Sequence, residues 1–244
     1  PMLAFLLFFG ALGADAFSSM SPATPLQLHR HRHSSRVHLF AGWRCSHEAA
    51  DLKARILAST APFGDPAMQV PASVQQDVDT LAKDLEAMNP TPQPATANSA
   101  KLDGWWRVRY SNAVPPSNGQ LGPFVGEPFQ VVDIATGSYQ NRLSFLGGAL
   151  QVVLSADWDV RDDATWRVNF RTLGVEAWGN ELPKIRFPEG TARTWCMTYT
   201  DDDTRIVRAG LDGGRRFASM VLNESCERAS QGVEGGSQQS PQRL

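Results

Sequence analysis

A chain of 244 residues with 20% charged side chains and a net charge of −2 suits one domain flanked by tails and offers no basic surface for a nucleic acid. All five histidines, His29, His31, His33, His38 and His47, lie in the first 47 residues. The globular part is thereby denied Ser-His-Asp, Cys-His and His-ligated metal chemistry. Cys45, Cys196 and Cys226 are an odd count without metal-ligand spacing, so neither a metal nor a cofactor is expected.

The N-terminus reads as an address. MLAFLLFFGAL, residues 2–12, is too short to span a bilayer and fits the core of a signal peptide, with Ala14-Asp15-Ala16 as its cleavage signal. A basic n-region is expected upstream of Pro1. Residues 17–47 hold no Asp or Glu, whereas Arg30, Arg32, Arg36 and Arg44 sit among Ser and His, the composition of a transit peptide. The expected division is a signal peptide over 1–16, a transit-like leader over 17–44, a body over 46–223 and a disordered Ser/Gln/Gly-rich tail over 224–244. Loss of the leader removes arginines and leaves the body more acidic, which suits soluble stroma or the rim of a lipid particle.

The body opens with helical patterns. Over 46–59, Ala49, Leu52, Ile56 and Leu57 share one side. After a proline-rich loop, Ser73 with Gln76 has the form of a capping box, and Val74, Val78, Leu81 and Leu85 recur at helical spacing as a face for packing. Residues 89–100 read as a Pro/Thr/Ala spacer.

From residue 102 the period becomes two. Eight strands are expected at 104–111, 128–134, 137–146, 149–160, 165–174, 192–200, 204–210 and 215–223, separated by Gly/Asp/Asn turns. Short strands in meander order without intervening helices predict a mainly β fold, an antiparallel barrel or sandwich of about eight strands with the N-terminal helices packed on it. The expected inward aromatics are Trp106, Tyr110, Phe145, Trp158, Trp166, Phe170, Trp195 and Tyr199. With Leu154 they are the candidate lining for a ligand, although aromatics of this kind also form ordinary core.

The run TWCMTYTDDDTRIVRAG, residues 194–210, is a strand, an acidic turn and a second strand. The acids could form a cation or acid/base site. The residues favour a solvated turn in which Asp201 or Asp203 pairs with Arg205 as a structural motif. Trp195, Tyr199, Asp201, Asp203, Arg205, Ile206 and Arg208 in this order resemble the C-terminal signature of the plastid lipid-associated (PAP/fibrillin) family. LEAMNPTPQP at 85–94 and LDGWWRVRYSN at 102–112 are similar to its helix end and first strand, and Phe129, Gln130, Asp133 and Asn141 to its second hairpin. Two positions depart from the pattern: Thr204 stands where the family usually has an aliphatic residue, and Ala209 where it often has Gly.

The resemblance implies a lipocalin-like barrel that binds or sequesters hydrophobic small molecules such as carotenoids, quinones or acyl lipids. It implies a plastid (chloroplast) location, at thylakoids, plastoglobules or in the stroma. The leader, with its Ala16-Phe17 junction, resembles the two-part leaders of algae with complex plastids, the alternative being a plain secretory signal before a basic linker. The rival reading is a structural protein with a filled barrel that coats a lipid globule or docks on a photosynthetic complex. An enzyme is not expected, because no acid stands on the apolar faces. The mature chain is expected to start near Phe40. N-terminal sequencing of protein from its native source checks this, and a start at residue 17 would rule out the transit segment.

Overall fold

The computed structural model describes residues 37–67, 70–113, 120–121, 124–211 and 217–226. The expected signal peptide, residues 17–36 of the leader and the tail after Cys226 lie outside them. The chain divides into two compact units at Leu39 and Phe40, and apart from the beginning of the first helix every described element belongs to the second.

Helix α1 runs Val37–Thr60, starting earlier than its apolar pattern suggests. It buries Leu52, Ile56 and Thr60, each one turn after the last, and the Thr60 hydroxyl donates back to the Ile56 carbonyl at 3.1 Å. Helix α2 runs Ala72–Glu86 and buries Val78, Ala82 and Leu85. Its N-cap is Pro71 rather than Ser73, and no side chain caps it. The Gln75 side chain instead donates to the Val70 carbonyl at 2.6 Å.

The strands are β1 (Gly104–Ser111), β2 (Gln120–Leu121), β3 (Phe124–Val125), β4 (Glu127–Asp133), β5 (Ser138–Phe145), β6 (Leu150–Val160), β7 (Thr165–Ala177), β8 (Asn180–Glu181), β9 (Ile185–Arg186), β10 (Ala192–Thr200), β11 (Thr204–Leu211) and β12 (Phe217–Cys226). Strands β1, β4, β5, β6, β7, β10, β11 and β12 pair antiparallel in that order, and β12 returns to β1. The result is a closed eight-stranded up-and-down barrel, of a size whose interior holds side chains or one small ligand. The short strands β8 and β9 pair only with the far half of β7. The last barrel strand continues past residue 223 to Cys226.

Two cores result. The barrel interior holds Trp106, Val132, Tyr139, Leu154, Ala156, Trp166, Val168, Phe170, Trp195, Met197 and Val207. The second core lies between the helices and the outer face of β1, β10, β11 and β12. It joins Leu52, Ile56, Val78, Ala82 and Leu85 to Tyr110, Tyr199, Ile206, Met220 and Leu222. Tyr110 and Tyr199 therefore do not point inward, as strict alternation requires. Bulges explain both. The register shifts between Val108 and Tyr110 against β12, and between Met197 and Tyr199 against β11, so the next residue lands on the other face.

One end of the barrel is closed by the spacer, which is not a free linker. Ala95 and Leu102 are buried on the barrel core. The Trp106 indole donates to the Leu102 carbonyl at 2.9 Å and the Trp166 indole to the Ala95 carbonyl at 3.3 Å. Gln93 and Thr96 both donate to the Asp163 carboxylate in the β6–β7 turn. Trp158 and Trp166 face inward from consecutive strands and stack at 4.3 Å with 12° between their planes.

The helix face is the best place to weigh this packing. Leu85 is fully buried between α2 and the sheet. Leu85→Ala is expected to cost about 2–5 kcal/mol in urea denaturation. A cost below about 1 kcal/mol would show that the helices contribute little to the barrel.

Candidate functional site

The end opposite the spacer is built differently. The pairing registers place Leu143 and Phe145 of β5, Leu150 and Val152 of β6, and Leu173 and Val175 of β7 on the same inward face as Tyr139 and Leu154. All six are only half-buried, unlike most of the inward residues at the closed end. Around it stand exposed apolar residues. Leu146 is 75% and Trp178 74% exposed, and Phe124, Val125, Leu182 and Leu211 also face solvent. A cleft of about 480 Å³ lies at this rim between Phe124, Val125, Phe145, Leu146 and the Asp65-Pro66 turn. The site is a largely apolar mouth with an apolar rim.

Toward the middle of the barrel the interior becomes polar. Arg205 is 2% exposed and points inward, because Asn223 and Thr200 are its strand neighbours and Val207 lies two residues on. Its Nη2 donates to Gln130 Oε1 at 2.7 Å, and its guanidinium carbon lies 4.6 Å from the centre of the Trp106 ring. Tyr139 donates to the Asn141 side-chain oxygen. Burial pulls the Arg205 guanidinium down to about 10, still cationic at neutral pH, and pushes the Tyr139 phenol well above its ordinary value. Arg205 Nε and both amide atoms of Asn223 have no hydrogen-bond partner. This cluster is invisible to a search for apolar faces. The signal that could have revealed it is the presence of Gln130, Arg205 and Asn223 inside otherwise apolar strands.

The acidic turn works as a brace. Lys53 of α1, and not Arg205, pairs with Asp201 at 2.5 Å and Asp203 at 2.6 Å. Asp201 also accepts the Tyr199 hydroxyl at 2.5 Å and the backbone N–H groups of Asp203 and Thr204. The expected Arg205 pair is thus wrong in its cation. The counter-ion of the turn arrives from a helix about 150 residues away in sequence, where no local pattern could show it. Lys53 holds the Asp203 carboxyl below its usual range. A second clamp joins Arg208 of β11 to Asp79 and Glu86 of α2, at 2.8 and 2.7 Å.

Of the aromatic candidates, Trp106, Trp158, Trp166, Phe170 and Trp195 line or pack on the closed half of the interior, along with Leu154. Phe145 lies at the mouth, whereas Tyr110 and Tyr199 belong to the helix interface. Burial pushes the Cys196 thiol up, as suits a strand residue. Among the described residues no group of His, Cys, Asp and Glu could hold a metal, and no helix is long and apolar enough to cross a membrane.

A closed up-and-down barrel with one capped end and one apolar end defines a lipocalin-like fold. The sequence places it further. The PAP_fibrillin family model matches residues 64–217, and the chain belongs to that family of plastid lipid-associated proteins. It is similar to the chromoplast-specific carotenoid-associated protein C2 of an Oncidium hybrid cultivar, at 26% identity over 72% of this chain and 70% of that one. It is also similar to protein C1 of the same cultivar, at 26% identity over 69% and 68%.

The helix clamp makes a pH-dependent contribution. Burial opposes ionisation of Asp79, but Lys83 and Arg208 outweigh it and hold the carboxyl low. Its stabilisation is full above the ordinary Asp range near pH 4 and is lost as pH falls through the lower folded value. Asp79→Asn is expected to cost up to about 1 kcal/mol at pH 7, and the variant should converge with the parent near pH 2 in denaturation curves. A constant difference across that range would refute the pairing.

Proposed function

We propose that this protein binds or sequesters hydrophobic small molecules of the carotenoid, prenylquinone or acyl-lipid classes, admitting them through the open end of the barrel at a thylakoid or lipid-globule surface. The observation that carries the reading is the row of half-buried inward residues, Leu143, Phe145, Leu150, Val152, Leu173 and Val175, opening onto an exposed apolar rim. The carotenoid association in the names of the two orchid proteins supports the ligand class. Burial drives binding: roughly 25 cal/mol per Å² over a few hundred square ångströms of ligand gives several kcal/mol, from which the ordering costs of association are subtracted. No reaction is assigned: among the described residues the interior presents an arginine, amides and a phenol but no carboxylate.

The exposed rim also favours the second reading, a coat protein that docks on lipid without taking a molecule inside. The rim residues Leu146 and Trp178 suit both, and the interior separates them. Carotenoid or prenylquinone is expected to quench tryptophan fluorescence saturably, with little dependence on salt because the attraction is apolar. Val152→Phe narrows the mouth and should weaken binding about tenfold or more with little change in melting temperature. If no lipophile quenches, and Val152→Phe instead destabilises by about 1–3 kcal/mol as in an overpacked core, the coat replaces the carrier.

A further inference from the structure

The buried cation inside the barrel has no charge to match it. Arg205 is all but inaccessible, and among the described residues no carboxylate pairs with it. Its contacts are neutral: the Gln130 amide oxygen and the face of Trp106. Both acids of the adjoining turn that could have reached it are committed to Lys53 outside the barrel. Across the strand pair, directly opposite Arg205, stands Asn223, also fully buried. Two N–H donors, Arg205 Nε and Asn223 Nδ2, are left without acceptors in a low-dielectric interior. Such donors are strongly disfavoured unless something accepts from them, and a charged arginine fork matches the two oxygens of a carboxylate.

The cluster also borders the open part of the interior. Gln130 is paired directly with Asn141 on β5, and Asn141 is half-buried, unlike Tyr139 one step deeper. From Asn141 the inward row on β5 continues through Leu143 to Phe145 at the mouth, four residues or about 13 Å of strand. Beyond it lie the exposed Leu146 and, across the β6–β7 pair, Trp178. An apolar inward row therefore runs from the rim to the edge of the Arg205 cluster, with apolar surface left over for the far end of an elongated chain.

We propose that Arg205, together with Gln130 and Asn223, is the head-group receptor of this barrel, and that the ligand it selects is a long-chain carboxylate bound head-inward. The proposal rests on the barrel-binding reading and adds to it a preference: an acid over the corresponding neutral lipid of equal length. The Arg205 guanidinium and the Asn223 amide donate to the carboxylate oxygens, and the chain lies against Leu143, Val152 and Val175. The Trp106 ring packs against the guanidinium, and Gln130 orients it. A pure hydrocarbon of the same length would bury the same area yet leave the donors unmatched.

The test uses a fluorescent polyene fatty acid, cis-parinaric acid, and its methyl ester, titrated into the full chain at neutral pH. The acid is expected to bind at least tenfold more tightly than the ester. Arg205→Met should bring the acid-to-ester affinity ratio close to one. Should Arg205→Met fail to fold, Asn223→Leu takes its place with the same expectation, a reduced acid-to-ester ratio. Equal binding of acid and ester by the parent protein overturns the proposal while leaving the carrier function standing. So does a preference for the acid that survives both substitutions. An arginine that serves only to hold the barrel together gives this result: loss of stability on substitution, and parity of acid and ester beforehand. If neither probe binds while the protein is folded, the carrier reading falls, and the head-group site falls with it.

Discussion

The architecture depends on a mismatch of strand lengths at the point of closure. The long seventh strand, Thr165–Ala177, meets β10 only over its first residues, Thr165 to Asn169. Its remaining hydrogen-bonding edge is taken by the short β8 and β9. A strand that closes a barrel along only part of its length cannot close both ends alike. At the paired end, Trp166 and Trp195 stand opposite each other and the spacer fits over them. At the other end the wall made by β5, β6 and β7 extends past its partner strands, and its inward side chains remain half-exposed. The difference between floor and mouth is thus set by backbone pairing before any side chain contributes.

The bulges do the complementary work on the outside. Each inserts a residue into a strand that would otherwise keep its aromatics inward, and each delivers a tyrosine to the helices. Without them, α1 and α2 would meet a face with fewer large apolar groups. The ion pairs of Lys53 and Arg208 then tie each helix to the sheet at a defined place. The helical layer from residue 46 to Glu86 is accordingly integral to the body, and the β10–β11 hairpin is held by both helices.

Much of this could be read from the chain. All eight barrel strands follow from apolar alternation and turn residues, and Trp158 and Trp166 face inward as their positions in two successive runs require. What could not be read has one physical root. Where helices cover the outer face of a sheet, both faces are apolar, and a period of two no longer says which is inside. Ile206 and Val207 are adjacent, both buried, and on opposite faces. In such a stretch a bulge leaves no trace in composition, so Tyr110 and Tyr199 read as lining, and Arg205 reads as a turn residue with an acidic partner. Ser73 failed as a cap for a more local reason: Pro71 already begins the helix. The family signature survives these errors because it records order along the chain and not the direction of each side chain.

The spacer that seals the floor makes its two indole contacts through main-chain carbonyls, those of Ala95 and Leu102. A carbonyl is supplied by every residue type. The seal therefore constrains the path of the backbone, the few side chains tucked beneath it, Thr91, Pro94, Ala95 and Leu102, and the Gln93 and Thr96 side chains that bond Asp163, while its other outward positions can drift. Proline suits such a segment, since it fixes direction without needing a hydrogen-bonding partner of its own. Relatives with little recognisable similarity between the last helix and the first strand can thus share the same stoppered vessel, and their differences should gather at the mouth.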